Sequence, residues 1–84
     1  MTYRLVLVEW KDKYNTDSYY LDYFIDVPLF RKLKRATEWV RKHIKEIAEQ
    51  VDKDYTTDLY VEQWDKDFIE WSYLYKNLHT KGEN

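Results

Sequence analysis

The stretch PLFRKLKRATEWVRKHIKEIAEQVD, residues 28–52, carries the strongest periodic pattern in the chain. Its apolar residues recur three or four positions apart, at Leu33, Ala36, Val40, Ile44, Ile47 and Val51. That spacing forms one stripe along an α-helix. Pro28 suits the first turn of a helix, and no glycine or other proline follows it in the stretch. We therefore predict one long helix from about residue 29 to residue 52, stabilised mainly by packing of its apolar stripe.

Segments with strand patterns lie on both sides of this helix. Residues 2–10 are rich in β-branched and aromatic types, and residues 19–27 alternate between two faces with a period of two. The polar residues 11–18 between them are typical of a hairpin loop. Residues 58–64 alternate again after the helix. Two strands are thus predicted before the helix and one directly after it.

The segment 67–76 admits two interpretations. Its density of Ile, Trp and Tyr, together with the short connection Asp65-Lys66-Asp67 before it, favours a fourth strand. The alternative is a terminal helix, because a helical stripe also fits Phe68, Trp71, Tyr75 and Leu78. We adopt the strand, which makes the element order ββαββ.

This order predicts an α+β fold, in which one long helix packs across one face of a small antiparallel sheet. A chain of 84 residues has room for a single core. We assign residues 1–78 to one domain and residues 79–84 to a frayed polar tail.

The composition excludes several kinds of site. There is no cysteine, so zinc-finger, iron–sulfur and thiol chemistry are excluded, and a single glycine, Gly82, excludes phosphate-binding glycine loops. His43 and His79 stand in no metal-binding spacing, and no carboxylate pair is singled out as a general acid and base. We expect no enzyme activity, no cofactor and no metal site. No segment has the length of a signal sequence or membrane span, so we expect a soluble cytoplasmic protein.

Charge is segregated along the chain. Residues 31–45 hold seven Lys or Arg and one Glu, a net charge of +6, whereas the rest carries −8. The molecule is therefore expected to have a basic helix surface and an acidic remainder.

The acidic remainder suggests an interaction surface. If Leu21 and Leu59 face the helix, the alternate residues form a second, uncovered face of aromatic rings and carboxylates. The candidate partner-binding residues on it are Tyr20, Asp22, Phe24, Asp26, Tyr60, Glu62 and Trp64, with Asp58, Val6, Val8 and Trp10 beside them. An exposed aromatic patch usually marks an interface. The ordinary alternative is that the C-terminal segment covers this face, or that the helix lies on it.

The basic helix offers a second candidate surface, for nucleic acid. Trp39 lies off the apolar stripe beside cations, where it would stack a base while the cations hold phosphates. The candidate residues are Arg31, Lys34, Arg35, Trp39, Arg41, Lys42 and Lys45. The simpler explanation is a solvated helix face with Trp39 packed under Lys and Arg stems.

The sequence thus favours a small non-enzymatic protein-binding module. Its aromatic and acidic face would bind a partner with a basic surface, such as a nucleic-acid-binding protein. In size and composition it is like the inhibitors and accessory factors of phages and mobile elements. Homodimerisation, in which two copies cover each other's uncovered faces, is compatible with this function. Nucleic-acid binding by the helix is the alternative.

Overall fold

A computed structural model of the chain describes residues 1–82. Two strands, β1 (Thr2–Trp10) and β2 (Thr16–Tyr20), precede a short 3-10 turn at Leu21–Tyr23. The helix α1 spans Leu33–Glu49. Two longer strands follow, β3 (Thr56–Asp65) and β4 (Phe68–His79). The order ββαββ is confirmed, and so is the assignment of residues 67–76 to a strand rather than a helix.

All neighbouring strands pair antiparallel, in the spatial order β2-β1-β3-β4. The helix packs on one face of this sheet, so the predicted α+β fold is confirmed. The register places Leu7 beside Leu59 and Leu5 beside Val61. These four side chains face the helix and are buried.

The core lies between the helix and the two central strands. From the helix it takes Ala36, Val40 and Ile47, which are buried, while Leu33 and Ile44 are half-buried against it. The predicted apolar stripe is therefore the face that packs. Because a helix lying on a sheet can bury only one stripe, its Lys and Arg residues stay in water.

The helix is shorter than predicted at both ends. Pro28 does not begin it, because Phe30 is drawn into the core and pairs with β1: Tyr3 N–H donates to the Phe30 carbonyl at 3.0 Å. That extended pairing is incompatible with helical backbone, so α1 begins only at Leu33. At the other end, Gln50 caps the helix and Val51 lies outside it.

The prediction of a strand over residues 19–27 is wrong beyond Tyr20. The chain turns at Leu21, where Phe24 N–H donates to the Leu21 carbonyl at 3.0 Å, and it leaves the sheet. Leu21 is buried in the core, and Ile25 and Val27 pack against it. The alternation thus correctly predicted that Leu21, Ile25 and Val27 turn inward, although their backbone pairs with no strand, but it was wrong for Tyr23, which is 85% exposed.

The loop between β1 and β2 is also shorter than predicted, because β2 begins at Thr16 and not after Ser18. At the C-terminus, β4 extends to His79, whose ring Nε2 donates to the Lys53 carbonyl at 3.0 Å. Lys81 N–H then donates to Thr56 Oγ1. Residues 83 and 84 of the predicted tail lie outside the described residues.

One half-buried hydrogen bond predicts a pH dependence of stability. Tyr19 donates its phenol proton to Glu9 Oε2 at 3.0 Å. Burial, and then this bond and the charge of Glu9, raise the pKa of Tyr19 from its ordinary value near 10 to about 12. A raised folded-state pKa stabilises the protein fully below the unfolded pKa, and the stabilisation is lost as the pH rises toward the folded pKa.

We therefore expect the free energy of unfolding of the wild type to fall more steeply between pH 10 and 12 than that of Tyr19→Phe. Urea unfolding at a series of pH values measures both slopes. The lysines are the same in both chains, so their titration contributes equally to both slopes and does not affect the difference between them. Parallel slopes would contradict this role of Tyr19.

Candidate functional site

The sheet face opposite the helix is covered by no other element within residues 1–82. We call it the open face. The strand register assigns to it Arg4, Val6, Val8, Trp10, Ser18, Tyr20, Asp58, Tyr60, Glu62, Trp64, Ile69, Ser72, Leu74 and Asn77. Tyr20, Val6, Tyr60 and Leu74 form one row across the four strands. The open face is thus a continuous surface rather than a set of separate side chains.

Arg4 lies near the middle of the open face. Its guanidinium carbon is 4.3 Å from the centre of the Trp64 ring and 5.3 Å from the centre of the Tyr20 ring. Cation–π contacts with two rings hold all three side chains in place. Sequence analysis missed Arg4, although the alternation of β1 places it on the same face as Val6 and Val8.

The two carboxylates of the open face are held by indole N–H groups. Trp64 Nε1 donates to Glu62 Oε1 at 3.1 Å, and Trp10 Nε1 donates to Asp58 Oδ2 at 2.9 Å. Asn77 Nδ2 also donates to Asp58 Oδ1, at 2.8 Å. These bonds fix the rings and the carboxylates together, so the surface is largely ordered before any partner arrives.

Apolar groups border this polar network. Ile69 and Leu74 on β4 are each 49% exposed, and Trp10 and Tyr20 are each 38% exposed. By contrast, Val6 is buried between its neighbours on β2 and β3, although it lies on the open face. Large side chains that stay exposed beside a packed one are typical of a surface that contacts another molecule.

The predicted partner-binding residues divide into two groups. Tyr20, Tyr60, Glu62 and Trp64 lie together on the open face, as the alternation indicated. The prediction that Asp22, Phe24 and Asp26 also lie on that face is wrong, because the chain leaves the sheet at Leu21.

Asp22 still lines a cleft of about 370 Å³ with Arg4 and Tyr20 of the open face. All three residues also line a second, wide cleft of about 560 Å³, together with His43 and Glu46 of the helix. Phe24 packs edge-on against Tyr19, with ring centres 5.2 Å apart. Because Tyr19 belongs to the helix side of the sheet, this contact places Phe24 away from the open face. Within residues 1–82, no charged side chain forms an ion pair with the carboxylates of this cleft, which belong to Asp22, Asp26 and Glu46.

The six cations of the predicted nucleic-acid surface are exposed along the helix and the segment before it. Within residues 1–82, only Arg35 among them forms an ion pair, with Glu38 at 3.6 Å. Trp39 is placed differently from a base-stacking residue. It is half-buried, its edge meets Phe30, and His43 stacks on its face at 4.1 Å. His43 Nδ1–H donates to the Trp39 carbonyl at 2.8 Å, which holds that stack. The Trp39 ring therefore packs against other side chains of the fold.

Comparison of the chain with protein-family models, with curated proteins and with solved structures gave no match. Within residues 1–82, no helix combines the length and apolar character needed to cross a membrane. The same residues contain no group of three or more potential ligands that would hold a metal ion.

Proposed function

We propose that this protein is a non-enzymatic protein-binding module that contacts its partner through the open face. The observation that carries the proposal is the uncovered sheet face on which Trp10, Trp64, Tyr20 and Arg4 are held by hydrogen bonds and cation–π contacts. Trp, Tyr and Arg are the residue types that contribute most to protein interfaces. Because these side chains are already ordered, binding costs less conformational entropy.

The carboxylates of the open face support a partner with a basic surface. Glu62 accepts one hydrogen bond through Oε1, and Asp58 accepts one on each oxygen. An ionised carboxylate has about four acceptor positions. The remaining positions would accept N–H groups from Lys or Arg side chains of the partner, whose stems would pack on the neighbouring rings.

An acidic surface of this kind would also compete with nucleic acid for a basic groove, because carboxylates would occupy positions otherwise taken by phosphates. That competition is how an inhibitor or accessory factor of a nucleic-acid-binding protein would act. The chain outside residues 31–45 carries a net charge of −8, which supports attraction to such a groove.

The test is a comparison of what three forms of the protein capture from a lysate of the cells that produce it. The wild type and Tyr14→Ala are expected to retain the same partner, while the double variant Tyr60→Ala/Trp64→Ala loses it. Tyr14 is a matched control, because it is an aromatic residue 89% exposed in the loop between β1 and β2. Circular dichroism checks that all three forms are folded. Capture of the same proteins by the double variant would reject the open face as the binding site.

The exposed cations of the helix favour nucleic-acid binding as a second candidate function. Fluorescence anisotropy of labelled single- and double-stranded nucleic acid, at about 50 and about 200 mM salt, tests it directly. Because His43 covers a face of the Trp39 ring, the helix would contact the phosphates of the nucleic acid through its cations rather than stack on a base. The affinity would then fall steeply as the salt concentration rises. In that case Arg35→Glu/Lys42→Glu abolishes binding. Absence of binding at both salt concentrations rejects this candidate.

A further inference from the structure

The helix does not cover the whole of its own side of the sheet. It packs on the central strands β1 and β3, while β4 is an edge strand. The register places Tyr73 of β4 beside Val61 and Trp71 beside Gln63. Because Val61 faces the helix, Tyr73 and Trp71 point to the helix side as well. Their rings therefore lie next to the helix rather than beneath it, and both are half-buried.

These two rings form a cluster with Tyr3 of β1. The centre of the Trp71 ring is 5.0 Å from that of Tyr73 and 6.3 Å from that of Tyr3. Tyr3 and Tyr73 pack against the core, so they hold the position of Trp71. We call Tyr3, Trp71 and Tyr73 the ring platform. Whereas His43 stacks on Trp39, no other ring lies parallel against Trp71 within residues 1–82.

The helix presents cations on the side of the ring platform. Glu46 lines a cleft with residues 22–26, so its flank of the helix faces the β2 side of the sheet. Arg41, five positions earlier, is about 140° away around the helix axis and lies on the flank toward β4. Lys34 and Lys45 lie on the same side, farther from the sheet. All three cations are exposed, and none forms an ion pair within the described residues.

We propose that the ring platform and the helix flank of Arg41 together bind single-stranded nucleic acid. Unpaired bases would stack on Trp71 and Tyr73, while the cations of the flank hold the phosphates beside them. Aromatic rings that stack bases, next to cations that follow the backbone, are the usual means of binding a single strand. The inference rests on the second candidate function, and it adds that the strand must be single, because the bases of a duplex stack on each other. The surface lies on the opposite side of the sheet from the open face.

The first test uses the wild-type chain and fluorescence anisotropy at about 50 mM salt. The probes are a labelled oligothymidine of about ten nucleotides, a duplex of the same length, and an abasic oligomer with the same phosphates. We expect the oligothymidine to bind most tightly and the abasic oligomer to bind about tenfold more weakly or worse. Contact with phosphates alone would instead favour the duplex, which has the higher charge density. Oligouridine in place of oligothymidine distinguishes RNA from DNA as the preferred strand.

The second test uses variants of the ring platform. Trp71→Leu keeps an apolar side chain but removes the stacking ring, so its affinity for oligothymidine should fall about tenfold, while that for the abasic oligomer stays the same. Trp71→Phe keeps a ring and should lose only a few-fold. Phe68→Leu is the matched control, because Phe68 is an aromatic residue of the same strand that is 75% exposed. Circular dichroism checks that the variants are folded.

The third test compares two exposed arginines of the helix. Arg41→Ala should weaken oligothymidine binding about tenfold, because it removes a cation beside the ring platform. Arg35→Ala should weaken it about threefold at most, because Arg35 lies toward the flank of Glu46 and pairs with Glu38.

Three outcomes would overturn the proposal. Equal affinity for the abasic oligomer, or tighter binding of the duplex, would leave only the second candidate function, in which the cations hold phosphates. Absence of binding to every probe would reject both. A rise in mass with protein concentration, seen by sedimentation without nucleic acid and lost in Trp71→Leu, would assign the ring platform to a second copy of the chain. The wild-type comparison decides the first two outcomes even if a variant fails to fold.

Discussion

Leu59→Ala is expected to lower the free energy of unfolding by about 2–5 kcal/mol. Leu59 lies in a central strand, faces the helix and has no exposed surface. The substitution removes buried methyl groups and leaves a cavity between two packed layers, which relax only partly to fill it. In a domain this small, the loss is a large part of the total stability.

Leu29→Ala is the matched control, because the same atoms are removed from a leucine that is 63% exposed. We expect its free energy of unfolding to stay within about 0.5 kcal/mol of the wild type. Urea unfolding followed by circular dichroism measures both variants. Equal losses in the two would show that the core is not centred where the helix meets β1 and β3.

Trp64→Ala is expected to raise the dissociation constant of the partner complex by about thirtyfold or more, or about 2 kcal/mol. The substitution removes the closer of the two cation–π contacts that hold the Arg4 guanidinium, the other being with the Tyr20 ring. It also deprives Glu62 Oε1 of its indole donor. The open face would lose a large contact surface and part of its order at once.

Trp64→Phe separates these contributions. It keeps an aromatic ring beside Arg4 but removes the N–H donor to Glu62, so a loss of only a few-fold is expected. Titration calorimetry with the captured partner measures the affinities, and Tyr14→Ala is again the control. An unchanged affinity for Trp64→Ala would remove Trp64 from the interface, even if the partner itself is genuine.

The sequence predicted the helix, the ββαββ order of elements along the chain and the inward-facing residues of β1 and β3, because each depends on a simple period. Residues 19–27 show where this reasoning stops. The backbone turns at Leu21, and the alternation then holds for the half-buried Ile25 and Val27 but fails at Tyr23, which is 85% exposed. Periodicity indicates which residues are buried, but hydrogen-bond pairing depends on which strand edge is available.

The candidate site was predicted in part for the same reason. Tyr60, Glu62 and Trp64 belong to a regular strand, so their common face could be deduced, and Tyr20 is the last residue of β2 that keeps the pattern. Asp22, Phe24 and Asp26 follow the turn and lie in another cleft. The contacts of Arg4 with Tyr20 and Trp64 join residues far apart in the chain, and no local pattern indicates such contacts.

By itself, the sequence determined the α+β class, the apolar stripe of the helix and the segregation of charge, because local periods and composition are properties of the chain. Only the tertiary structure decided which face of the sheet stays open, where the second strand ends and which rings hold Arg4. It also decided that Trp39 packs within the fold and that β4 forms a free edge. Those features depend on which distant segments meet, and the packing of the core settles that for the whole domain at once.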